Sequence, residues 1–163
     1  MGRPLGDGAI LQALDACAVH GGYRMGPTMT SAAHDIPPAL DVAQAGAASG
    51  GPRLWRVAFD VTNRGGGPVE LLAAWLPHGR FRCPEQQLAD LVLAPGRTTQ
   101  LSFEAAFDER PGTEVENCFV ILRVRWREQG WRVMARLTVT AGDGGAPLAA
   151  TQLVTAHRVG FSD

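Results

Sequence analysis

Residues 118–140, CFVILRVRWREQGWRVMARLTVT, alternate apolar and polar side chains through two runs, and that period of two constrains the segment to a β-hairpin. A strand over 118–127 sends Cys118, Val120, Leu122, Val124 and Trp126 to one side. A strand over 131–140 does the same with Trp131, Val133, Ala135, Leu137 and Val139. With a two-residue turn at Gln129-Gly130, the apolar residues of both strands share a face, and Arg123, Arg125, Arg127, Arg132 and Arg136 share the other. In that register Arg127 faces Arg132 and Arg123 faces Arg136. Such a hairpin must bury its apolar side against another layer, so the chain is expected to carry one chemically marked outer face.

The pattern extends on both sides of the hairpin. A strand over 54–63 places Trp55, Val57, Phe59 and Val61 inward, and Arg64 to Pro68 form a turn. A strand over 69–76 places Val69, Leu71, Ala73 and Trp75 on one face and Glu70, Leu72, Ala74 and Leu76 on the other. Residues 77–90 read as a loop, and Pro95-Gly96 as a turn before a strand over 98–107. An apolar stretch over 150–156, after the loop Gly142–Pro147, reads as a closing strand. Strands at this spacing, with no intervening helical period, predict an all-β fold. The entry VAFDVTNRGGGPVEL, the return strand LAPGRTTQLSF and the closing hairpin together resemble the immunoglobulin-like and fibronectin-type-III-like sandwiches over about residues 53–157. That resemblance implies an antiparallel β-sandwich of about seven strands. It carries no activity with it, because such sandwiches host many unrelated functions.

Residues 1–52 differ in character and are expected to form an N-terminal irregular arm, with the β-sandwich domain over 53–163. Ala9 to Val19 has apolar residues at helical spacing, and the same residues also suit an edge strand. The Gly-, Pro-, Ala- and Ser-rich stretch after Gly21 has no period. The net charge of -1 gives no overall attraction to nucleic acid or anionic lipid, and the 15 basic residues are all arginine. Three cysteines, Cys17, Cys83 and Cys118, show no metal-ligand spacing, and reduced thiols are the expectation. Asp7, Gln12 and Asp15 interrupt the apolar stretch near the start, so a secretory leader is not expected. No run approaches the length of a membrane-spanning helix. A cytoplasmic location is therefore expected.

The outer face carries the sharpest site. In the expected order, the strand over 69–76 lies beside that over 118–127, which brings Glu70 near Arg125 and Arg127. The same packing places Leu72 and Leu76 near Phe119 and Ile121, a contiguous apolar patch that needs a cover. Arginines paired across a sheet repel one another unless acids or an anionic partner neutralise them. The four tryptophans share the apolar parity and read as core. A second site is the loop holding His78, Arg80, Arg82 and Cys83, where a thiol, a base and two anion-binding groups fall within a few residues. Cys83 precedes a proline there, and no acid at a recognisable spacing orients the histidine. No cofactor or metal motif is present in the sequence.

These readings converge on a non-catalytic accessory or structural subunit. It would dock through the outer face and the N-terminal arm onto a larger protein partner, or onto further copies of itself. Leu72, Leu76, Phe119 and Ile121 would supply apolar anchors, and Arg123, Arg125, Arg132 and Arg136 would set register and partner choice. Two alternatives remain: a small ligand-binding domain or enzyme built on His78, Arg80 and Arg82, and single-stranded nucleic-acid binding on the arginine face.

Overall fold

The computed structural model describes residues 36–160, most of them in eight strands. These are β1 (Leu40–Gly51), β2 (Leu54–Asn63), β3 (Val69–His78), β4 (Phe81–Leu93), β5 (Thr98–Ala106), β6 (Glu114–Trp126), β7 (Gln129–Ala141) and β8 (Pro147–Arg158). All pair antiparallel in the order β1-β2-β5-β4-β3-β6-β7-β8, in one nearly closed barrel-like sheet. The all-β antiparallel expectation holds. In place of the expected seven strands there are eight, paired in one rolled sheet.

Two of the strands lie where irregular structure is expected. β1 falls inside the segment assigned to the arm, whereas residues 1–35, including Ala9 to Val19, lie outside the described residues. Only Leu40 and Val42 in β1 point into the core, and the rest, apart from Asp41 and Gln44, is Ala, Gly and Ser held by backbone pairing to β2 from Leu40↔Asn63 to Gly51↔Leu54. Backbone ladders need no apolar side chains, so composition misreads such a strand. β4 occupies the expected loop. Its alternation is broken by Pro84 and by two register shifts against β3, and Asp90 adopts a left-handed φ of 52°.

The interior is filled mainly by inward residues of β2, β3, β5, β6 and β7. Phe59 meets Phe103, and Phe81 meets Phe107, edge to face with ring centroids 5.9 Å apart. Asn63 is the one buried polar side chain among the described residues. Its Nδ2 donates to the carbonyls of Gly67 and Leu93, and its Oδ1 accepts from Gly65 N. The ring is nearly broken in two places. β4 and β5 share the single pair Arg82↔Ala106, and a groove of about 540 Å³ opens between them. Between β1 and β8, side chains replace the ladder: Gln44 Nε2 donates to Pro147 O, Gln44 Oε1 accepts from Ala149 N, and Thr151 Oγ1 donates to Val42 O.

Bulges in β3, β6 and β8 bear on the outer face. In β3, Leu71 pairs with Val124 and Ala73 with Arg123, so Leu72 is an extra residue that both neighbouring strands skip. In β6, Glu116 and Asn117 lie between the pairs Val115↔Val139 and Cys118↔Leu137, with Asn117 at φ 56°. In β8, Gln152 lies between Thr151↔Leu137 and Leu153↔Arg136.

Candidate interaction face

The β6–β7 turn sets the register of the marked face. It lies at Arg127-Glu128, both with positive φ (49° and 61°), and not at the expected Gln129-Gly130. Successive left-handed residues form the turn whose twist suits a two-residue hairpin. Arg123 therefore faces Arg132 and not Arg136, and Arg127 is in the turn. The slip is four residues, an even number, so every side chain keeps its expected face.

Rows of outward side chains follow from the pairing. One row runs Ala73, Arg123, Arg132, His157; the next runs Trp75, Ile121, Met134, Thr155; a third runs Phe119, Arg136, Leu153. The bulge at Leu72 corrects two expectations here. Leu76 turns inward and is fully buried, so it is no anchor of the outer face, and Trp75 takes the place beside Ile121. Leu72, Trp75, Phe119 and Met134 are half-buried, Ile121 is 8% exposed, and Leu153 is 50% exposed. Ile121 is screened although it points away from the core, which shows how closely its outward neighbours pack. Met134 shares the parity of the arginines and is legible from alternation alone, whereas Trp75 carries no sequence signal for its side. Of the other tryptophans, Trp126 and Trp131 are buried as expected, and Trp55 is half-buried against the core.

The arginines divide into two kinds. Arg125 Nη1 lies 2.6 Å from Glu70 Oε2, the pairing expected from the strand order. Arg123 Nη2 donates to Glu85 Oε1 at 3.2 Å and to Gln87 Oε1 at 3.1 Å, both on β4. Arg132 and Arg136 are exposed and have no carboxylate partner among the described residues. The repulsion in the Arg123–Arg132 pair is thus relieved from one side only.

The second expected site does not converge. Residues 77–83 form a tight hairpin, with His78 opposite Phe81 and the turn at Gly79-Arg80. His78 Nδ1 accepts a hydrogen bond from Arg80 N at 3.2 Å. Both oxygens of Glu109 hold the Arg80 guanidinium, which holds the carboxyl of Glu109 below its ordinary range. A concavity of about 280 Å³ beside Arg80 is lined by Arg53, Phe107, Asp108 and Glu109, and Arg53 there is 3.0 Å from Asp108. Its charges are satisfied within the protein. Arg82 is exposed, and Cys83 points into the barrel, away from any base. Among the described residues no three metal-ligating side chains cluster.

The two described thiols are buried and free. Burial raises Cys83, and burial also pushes Cys118 up to about 11, with Arg80 pulling weakly in the opposite direction. From its ordinary value of 9.0 up to about 11, the folded state keeps a proton on Cys118 that the unfolded state has lost. The contribution is fully present below that window and is lost as pH rises through it. Cys118→Ala is expected to flatten the fall of the urea midpoint across that window. An equally steep fall in the variant would assign the effect to another group.

No protein-family model matches the chain, and the curated proteins hold no match to it.

Proposed function

We propose that this protein is a non-catalytic binding subunit that docks on a partner protein through the outer face of β3, β6, β7 and β8. The observation that carries the reading is the composition of that face. A close-packed apolar strip (Leu72, Trp75, Phe119, Ile121, Met134 and the exposed Leu153) runs beside two arginines without carboxylate partners among the described residues. Interfaces commonly combine an apolar, aromatic-rich centre with arginines that select the partner. Two leaves, β1-β2-β5 and β4-β3-β6-β7-β8, meet at β4–β5 through one residue pair, which supports an immunoglobulin-like reading of the fold. Two free buried thiols support a reducing, cytoplasmic setting.

Native mass measurement of the protein isolated at its natural abundance tests the reading. The expected result is a complex heavier than the 17.3 kDa chain. Arg132→Glu combined with Arg136→Glu is expected to weaken that complex at least about tenfold while leaving the domain folded. Recovery as a free chain overturns the proposal.

A second reading gains support from one observation. Trp75 and Phe119 stand outward among the arginines, the aromatic–basic mixture that single-stranded nucleic acids use. Binding of an oligonucleotide that falls steeply with added salt would favour it; binding indifferent to salt would end it.

A further inference from the structure

The bulges in β6 and β8 flank the same stretch of β7. Glu116 and Asn117 bulge from β6 on one side of Leu137, and Gln152 bulges from β8 on the other. Between them lies a concavity of about 260 Å³ lined by Glu116, Asn117, Arg136, Leu137, Thr138 and Gln152. A bulge re-aims the side chains of the residues it displaces, and two bulges converging on one rung make a cup in an otherwise pleated surface. None of the side chains of Glu116, Asn117, Arg136, Thr138 or Gln152 is hydrogen-bonded or ion-paired to another described residue. On the same face, Arg123 and Arg125 are both held by acids. The two residues directly across from Arg136 are apolar, Phe119 on β6 and Leu153 on β8.

We propose that this cup is the specificity pocket of the docking face and receives one carboxylate side chain of the partner protein, set between apolar neighbours. The inference rests on the docking reading above. Arg136 offers a planar fork of donors that pairs with both oxygens of a carboxylate. The amides of Asn117 and Gln152 and the hydroxyl of Thr138 add further donors around it. Phe119 and Leu153 set apolar surface directly across from Arg136, which a docked partner would cover, and a charge pair shielded in that way selects a partner sharply. Glu116 sits in the same cup and repels any acid brought close to it, so the pocket accepts a single carboxylate held on the Arg136 side and rejects an acidic run.

The test uses the intact protein and two probes, the acetylated and amidated tripeptides Leu-Glu-Leu and Leu-Gln-Leu, followed by the NMR signals of backbone and side-chain N–H groups. The glutamate peptide is expected to shift the Arg136 Nε–H and the amides of Asn117 and Gln152 saturably, and to bind about tenfold more tightly than the glutamine peptide. Arg136→Gln is expected to erase the difference between the two. Equal binding of both peptides, with shifts confined to Trp75, Ile121 and Met134, overturns the pocket and leaves the docking face standing. Glutamate-dependent shifts centred on Arg132 also overturn the pocket. Shifts of the outer face with neither peptide overturn the pocket and count against the docking face as well.

Discussion

Replacing Leu76 by alanine is expected to lower the stability of the domain by about 2–5 kcal/mol, whereas Leu72→Ala is expected to cost less than about 1.5 kcal/mol. The two leucines are four residues apart on one strand and, by plain alternation, share a face. The extra residue in β3 separates them. Beyond it Ala74 and Leu76 point into the barrel, where Leu76 is fully buried in the core cluster. A cavity left there has nowhere to drain, because the lining residues belong to paired strands. Leu72 is half-buried at the bulge on the outer surface, and trimming it leaves no enclosed void. Urea unfolding of both variants measures the contrast. Equal losses, or a larger loss at Leu72, would mean that β3 keeps one parity throughout and would return Leu76 to the outer face.

The second large effect is expected at Asn63. Its amide reaches the carbonyls of Gly67 and Leu93 while its oxygen takes the N–H of Gly65, so one side chain joins the end of β2, the turn after it and the end of β4. The backbone around it extends the knot. Asn63 N donates to Arg97 O, Gly96 N donates to Asn63 O, and Arg64 N donates to Ala39 O. Asn63→Ala strands two carbonyls and one N–H where the asparagine was fully buried, and a loss of about 2–4 kcal/mol is expected. Asn63→Asp is expected to be at least as damaging, since it sets carboxylate oxygen against carbonyl oxygen. A thermal midpoint for Asn63→Ala within the error of the parent would show that water or a shifted turn satisfies those groups without it.

The strands with strict alternation were legible from the chain alone, and for a physical reason. β2, β5, β7 and β6 from Cys118 onward each bury one face against the barrel interior, so their inward apolar residues recur every second position. β1 and β4 border the weakly joined seams, expose much of both faces and carry no such record. The pairing of Glu70 with Arg125 was legible because both lie on the near side of the β3 bulge, where simple counting still works. Past Leu72 counting fails, and Leu76 and Trp75 exchange faces. Leu72 is an ordinary strand residue by type. Nothing in its chemistry announces that both neighbouring strands skip it. The cup around Arg136 was invisible for the same reason twice over, since it exists only where bulges in two strands meet a third.

The seam between β1 and β8 has a mechanical consequence. Its closure depends on the amide of Gln44 and the hydroxyl of Thr151, not on a run of backbone rungs. Tension applied across positions 44 and 149 therefore peels contacts apart one after another. Tension applied along β6 and β7 must instead slide all the pairs from Glu114↔Thr140 to Trp126↔Gln129 at once, a shearing load. Under load the β1–β8 seam is expected to open first, with Gln44 and Thr151 together as its clasp.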